Sequence, residues 1–152
     1  MDVNTSVVQN FFSCSPMLDD FRLIECSGLT SLEIPNNLVK LKSLLIKTRT
    51  DEISKVAIRA SNLESTYSGS LPSEIKLEAS EDTLKKLAIE RTNITGTWLQ
   101  CQIARFVGLK VLILENIDTL TTTVKISSQT LTELIIMDYI NLEAETIIDA
   151  PD

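Results

Sequence analysis

The side chains that most often carry chemistry are scarce in this chain of 152 residues. It contains no histidine, which removes the commonest general base and metal ligand, and with it any Ser–His or Cys–His nucleophilic pair. Its three cysteines, Cys14, Cys26 and Cys101, do not cluster as zinc ligands do. The odd count without a close pair points to reduced thiols, and Cys26 reads as a small apolar residue at a turn rather than a nucleophile. The acid pairs Asp19-Asp20 and Glu81-Asp82 suit solvated turns better than the opposed carboxylates of a glycosidase. Gly28, Gly69, Gly96 and Gly108 are scattered and build no phosphate-cradling loop. The expectation is a protein that is not an enzyme, with no cofactor and no metal site.

Bulk properties narrow the remaining choices. Hydrophobic content of 43% with 23% charged residues describes one globular domain. A net charge of −7 repels phosphate backbones, and no basic cluster offsets it, so no nucleic-acid partner is expected. Lys40, Lys42 and Lys47, and the pair Lys85-Lys86, read as solvated faces. The apolar runs "VLIL" at 111–114 and "LIIM" at 134–137 are far below the roughly 18 residues of a membrane span. The N-terminal "MDVNTSVVQNFF" lacks the pattern of a secretory signal, so a cytoplasmic or nuclear location is expected. On that view the glycosylation patterns at Asn4-Thr5-Ser6 and Asn93-Ile94-Thr95 are coincidental.

A repeat organises the chain. The pattern Leu-x-x-Leu-x-Leu, with Ile or Phe allowed, occurs as "LDDFRL" at Leu18, "LTSLEI" at Leu29, "LKSLLI" at Leu41, "LKKLAI" at Leu84, "LKVLIL" at Leu109 and "LTELII" at Leu131. Weaker copies lie at Ile53, Leu63 and Leu120. The series 18, 41, 63, 84, 109, 131 advances by 21 to 25 residues, within the leucine-rich-repeat range. In each copy the last two apolar residues alternate, so they share one side of a strand, and only stacked coils can bury that side. Half-period copies such as Leu29 predict a second extended segment behind each strand. "TSVVQNFFSC" predicts a helix with Val7, Val8, Phe11 and Phe12 on one face and Thr5 or Ser6 as N-cap. "TGTWLQCQIARF" predicts another after Thr97, with Trp98, Leu99, Ile103 and Phe106 inward.

A longer echo at an offset of 90 to 91 pairs Val8 with Leu99, Leu18 with Leu109, Phe21 with Leu112, Leu29 with Leu120, Leu41 with Leu131 and Ile58 with Ile148. The expected fold class is α/β: a leucine-rich-repeat solenoid with short parallel strands on a concave side and short helices and extended segments on a convex side. It forms a single domain over 1–152 with about six coils. The closing "TIIDAPD" matches the start of a further coil, so both ends read as cuts through a longer array.

The phrasing "FFSCSPMLDDFRLIECSGLTSLEI", "IRASNLESTYSG", "ITGTWLQCQIARFVGLKVLIL" and "ISSQTLTELIIMDYINLEAETIIDAP" resembles plant F-box/leucine-rich-repeat proteins of the FBD type, over nearly the whole chain. Ser61 replaces a usual Pro, Thr66 an aromatic, and one residue is missing before Tyr67. Asn116 and Asp138 fall near the turn position held by Cys26. Residues 1–152 contain neither the F-box nor the FBD segment of that family. The resemblance implies the substrate-recognition repeats of a cullin-based ubiquitin ligase, and a protein partner or ligase substrate bound by the arc alone. The repeat segment of a plant nucleotide-binding immune receptor is the alternative, half supported by "LEIPNN"; a truncated product without a partner is another. The chain is expected to be monomeric, with repeat ends that could self-associate.

Counting along each strand, the residues between the buried leucines form the expected binding row: Arg22 and Ile24, Leu45 and Lys47, Lys86, Ala88 and Glu90, Val111, Ile113 and Glu115, Ile135 and Met137. An apolar cluster at Val111, Ile113, Ile135 and Met137, rimmed by charge, suits a partner surface. Plain β-propensity, or cover by a flanking segment, accounts for the same residues.

Overall fold

In the computed structural model the repeat leucines Leu18, Leu41, Leu63, Leu84, Leu109 and Leu131 each stand two residues ahead of a strand. The structure describes residues 3–48, 53–70, 75–92, 94–117, 124–137 and 146–149. Helix α1 (Thr5–Cys14) leads into β1 (Asp20–Ile24), β2 (Ser31–Ile34), β3 (Ser43–Lys47), β4 (Lys55–Ile58), β5 (Ser65–Gly69), β6 (Ile75–Leu77) and β7 (Lys86–Glu90). Helix α2 (Gly96–Arg105), β8 (Val111–Glu115), β9 (Val124–Ser127), β10 (Glu133–Met137) and β11 (Thr146–Asp149) follow. The strands form a six-stranded sheet, β1-β3-β5-β7-β8-β10, a three-stranded sheet, β2-β4-β6, and a pair, β11-β9, all parallel. The chain returns five times between the six strands of the long sheet, making a parallel-strand solenoid of about five turns.

One backbone device recurs at every step. The residue after each repeat leucine offers its carbonyl to two N–H groups of the next coil. Asp19 accepts from Lys42 and Ser43, Lys42 from Glu64 and Ser65, Glu64 from Lys85 and Lys86, Lys85 from Lys110 and Val111, and Lys110 from Thr132 and Glu133, all at 2.8–3.1 Å. Just before the leucine, the chain closes a tight turn, with the N–H of Leu18, Leu41, Leu63 and Leu109 donating to Ser15, Leu38, Ala60 and Phe106. Four residues that directly follow strands take the left-handed conformation: Glu25, Ser70, Arg91 and Asn116, at φ 48° to 56°. Each lies seven residues past its repeat leucine, so Asn116 corresponds to Glu25, one residue before the Cys26 position near which it was expected; Asp138 lies outside the described residues.

The core is an aliphatic stack. Leu41, Leu63, Leu84 and Leu109 are at most 1% exposed, and Leu44, Ile46, Leu87, Ile89, Leu112 and Leu114 point inward from the long sheet. Leu29, Leu32, Ile34, Ile53, Val56, Ile58 and Leu77 meet them from the other side. The half-period copies thus form their own strands; Leu120 lies outside the described residues. In β5 the inward positions are Thr66 and Ser68, both buried, so the solenoid keeps its course through a coil with no aliphatic pair.

The two helices take the place of a strand behind the long sheet, and they do so by closing exposed edges. Thr5 and Gln9 of α1 donate side-chain hydrogen bonds to the Ser31 and Glu33 carbonyls of β2. In α2, Trp98 Nε1 donates to the Ile75 carbonyl of β6, and Arg105 Nη1 and Nη2 donate to the Leu77 and Ala79 carbonyls at 2.8 and 3.4 Å. An unpaired edge is thereby satisfied without a further strand. The helix details differ from the expected ones. The N-caps are Asn4 and Thr95, whose side chains accept from Val7 N and Trp98 N, and not Thr5, Ser6 or Thr97. Only Val8 and Phe12 are buried in α1, while Val7 and Phe11 are 56% and 45% exposed: β2 lies beside the helix, and the Phe21 ring of β1 stands 4.8 Å from Phe12 and 6.1 Å from Phe11, leaving Phe11 partly open. The 90-residue echo is structural: α1, β1, β2, β3 and β4 recur as α2, β8, β9, β10 and β11, with the same pairings.

Candidate interaction surface

Strand periodicity gives the outer face of the long sheet three rows, and the register fixes their order. The first runs Asp20, Ser43, Ser65, Lys86, Val111, Glu133; the middle runs Arg22, Leu45, Tyr67, Ala88, Ile113, Ile135; the third runs Ile24, Lys47, Gly69, Glu90, Glu115, Met137. Every expected binding residue lies on this face: Arg22, Ile24, Leu45, Lys47, Lys86, Glu90, Val111, Ile113, Glu115, Ile135 and Met137. The register makes Ile113 and Ile135 direct partners, while Val111 faces Glu133 and Met137 faces Glu115. Leu45, Tyr67, Ala88, Ile113 and Ile135 make an unbroken apolar row over five strands.

Two members of that set are not exposed. Ala88 is 1% exposed, a hollow in the row between the larger Tyr67 and Ile113. Glu90 is 4% exposed although it sits on the outer face. Gly69 is the reason. With no side chain at Gly69, the Glu90 carboxylate occupies the vacated position, and a Cβ added there would stand 3.3 Å from Glu90 Oε2, 3.5 Å from the Tyr67 ring and 3.6 Å from Lys47 Cγ. Through this gap the Tyr67 hydroxyl donates to Glu90 Oε2, Lys47 Nζ approaches the same oxygen at 3.2 Å, and Arg91 Nε stands 3.5 Å from Oε1. The Lys47 ammonium also lies 6.0 Å from the centre of the Tyr67 ring. Three strands are clamped by one carboxylate.

The electrostatics follow from that packing. Burial pushes the Glu90 carboxyl up, but the hydrogen bonds from Tyr67 and Lys47 and the charges of Lys47 and Arg91 outweigh it, so it titrates below the usual carboxylate range. Tyr67 is raised, first by burial and then by its hydrogen bond to Glu90 and the nearby carboxylates, so its hydroxyl stays a donor at any physiological pH. At the β1 end, Asp20 and Arg22 form an exposed pair at 2.8 Å; the Arg22 hydrogen bond lowers Asp20 and its counterpart raises Arg22.

Tyr67 is the residue that sequence reasoning missed. Thr66 and Ser68 flank it where Leu or Ile was sought, so β5 offered no alternation of apolar and polar residues. The signal that would have found it is the spacing: Leu63 holds its place in the 21- to 25-residue series, which puts Tyr67 four residues on, level with Leu45 and Ala88.

Cys14, Cys26 and Cys101 are free thiols, and among the described residues no group of three or more His, Cys, Asp or Glu side chains could hold a metal ion. Cys26 packs half-buried against the core. Among the described residues no helix is long and apolar enough to cross a membrane. Comparison with protein-family models, with curated proteins and with solved structures gave no match.

Proposed function

We propose that this chain is a non-catalytic protein-interaction module that binds a protein partner on the outer face of its long sheet. The observation that carries this reading is the five-strand apolar row from Leu45 to Ile135, half-exposed at Leu45, Tyr67, Ile113 and Ile135 and set on a rigid parallel scaffold. All-parallel sheets ordinarily have both faces covered. Here one face packs on the core while the other spans five strand intervals, about 24 Å, with nothing of the described chain laid over it. A row of large apolar groups bounded by charged ones is how interaction surfaces differ from ordinary ones.

The repeat wording, with its leucine spacing and its resemblance to plant F-box/leucine-rich-repeat proteins, supports the finer reading: a leucine-rich-repeat recognition arc of the kind that presents substrates to a cullin ubiquitin ligase. The partner would then be a ligase substrate, met in the cytoplasm or nucleus. The test is capture of interacting proteins by the wild-type chain and by the double variant Ile113→Asp/Ile135→Asp. The variant is expected to retain its circular dichroism and melting transition and to lose the specific partners. If the same partners survive on the folded variant, the sheet face is not the binding surface. Should the double variant melt, Ile135→Ser alone, on the terminal strand of the long sheet, serves the same comparison.

A further inference from the structure

The two ends of the outer face differ in how their charges are matched. Across the face stand three cations, Arg22, Lys47 and Lys86, and four carboxylates, Asp20, Glu90, Glu115 and Glu133. Asp20 is paired with Arg22, and Glu90 with Lys47 and Arg91. On β8 and β10 the six outward side chains are Val111, Ile113, Glu115, Glu133, Ile135 and Met137: four apolar groups, two carboxylates and no cation. Neither Glu115 nor Glu133 makes an ion pair or a side-chain hydrogen bond among the described residues. Lys86 is separated from Glu133 by the Val111 strand, and Arg91 is turned to Glu90.

These carboxylates stand at opposite corners of the apolar cluster. Glu133 is level with Val111, four residues up the strand from Glu115 and one strand across. With a rise of about 3.3 Å per residue and a strand spacing of about 4.8 Å, their Cα atoms are roughly 14 Å apart. An extended chain places side chains i and i+4 on one side about 13 Å apart, with i+2 midway between them. The midpoint of the diagonal falls on Ile113 and Ile135. Desolvating an apolar surface that carries two unmatched carboxylates is costly unless the partner brings the opposite charge.

We propose that the β8–β10 end of the face receives an extended segment of a partner protein that carries a basic side chain on each side of an apolar one, in a basic-x-apolar-x-basic pattern. The apolar side chain packs on Ile113 and Ile135, and the basic groups meet Glu115 and Glu133, their stems lying along Met137 and Val111. This assignment rests on the proposed function above and names the chemistry of its partner.

The test is selection of a random 12-residue peptide display library on the immobilised full chain, followed by fluorescence anisotropy with the selected peptides. The expected result is enrichment of Lys or Arg at i and i+4 around a Leu, Ile, Met or Phe. Binding should weaken roughly tenfold in the isosteric double variant Glu115→Gln/Glu133→Gln and lose most of its salt dependence. Ile113→Asp should abolish it. Selected peptides that are neutral or acidic, bind the Gln variant as tightly, and still fail on Ile113→Asp overturn the basic partner while leaving the interaction surface standing. No enrichment, or binding indifferent to Ile113→Asp on a folded chain, overturns both.

Discussion

Glu90 shows how a charged residue can be structural on the outer face of a sheet. Its carboxylate is nearly enclosed, yet Tyr67, Lys47 and Arg91 supply enough hydrogen-bonding and charge to keep it ionised. The position exists only because Gly69 leaves the space. Glu90→Gln keeps the shape and removes the charge; at pH 7 it is expected to cost about 1–2 kcal/mol, because the Tyr67 and Lys47 donors lose an ionised acceptor. The pH dependence has a definite sign. A carboxyl whose folded pKa lies below its usual 4.5 contributes stability that is fully present above that value and disappears as pH falls through the folded pKa. Urea unfolding of wild type and Glu90→Gln should therefore differ at pH 7, and the gap should narrow as the pH falls through the folded pKa of Glu90; a gap unchanged down to the acid limit of folding would mean that the charge is not what Glu90 contributes. Thr66 makes the opposite case. Its hydroxyl is buried at an inward position between Leu44 and Leu87 and has no hydrogen-bond partner among the described residues. Thr66→Val keeps the branched shape and removes the orphan group, so it is expected to raise stability by about 1 kcal/mol, read as a higher urea midpoint at constant slope.

At the scale of elements, the helices are edge closures as much as they are packing units. Arg105 satisfies the Leu77 carbonyl of β6 and the Ala79 carbonyl just beyond it from a half-buried position, whereas Gln9 satisfies one carbonyl of β2 in the open. Water replaces a lost donor at an exposed carbonyl but not at an enclosed one. Arg105→Met is accordingly expected to destabilise by about 1–3 kcal/mol, and Gln9→Met by no more than about 0.5 kcal/mol; equal effects in thermal melts would contradict this account of the helices. Both helices were legible as apolar patterns, but their starts were not. Asn4, Thr5 and Ser6 are all capping residues, as are Thr95 and Thr97. What selects among them is tertiary: α1 must begin where Thr5 and Gln9 reach Ser31 and Glu33, and α2 where Trp98 and Arg105 reach β6. The same cause explains Val7 and Phe11. The apolar stripe on α1 is wider than β2 and the Phe21 ring of β1 can cover, so periodicity overstates its buried face.

For the molecule as a whole, the repeat period was readable because a parallel ladder forces each coil to place its leucine at one fixed distance before the strand. Leu18, Leu41, Leu63, Leu84, Leu109 and Leu131 obey that rule even where the strand itself, as at Thr66 and Ser68, carries no repeat residue. The outer face of the long sheet followed from the same register, with Tyr67 hidden by its polar neighbours and the burial of Glu90 hidden because it depends on a gap one strand away at Gly69. Coupling between coils has a physical basis beyond packing, since Asp19, Lys42, Glu64, Lys85 and Lys110 each bridge to the following coil with one carbonyl and two donors. In a solenoid, stability is a sum of coil and interface contributions, and strong interfaces make the array unfold together. Leu63 is fully buried at the centre of the array, so Leu63→Ala is expected to cost about 2–5 kcal/mol, and Leu131→Ala, half-exposed near the last strand of the long sheet, distinctly less. Native-state hydrogen exchange separates coupled from independent coils. With coupling as strong as the bridging carbonyls imply, Leu63→Ala lowers protection together at the amides of Lys42, Lys85 and Lys110. Loss confined to Glu64, Ser65, Lys85 and Lys86, with Lys42 and Lys110 unchanged, would show instead that the solenoid opens one coil at a time.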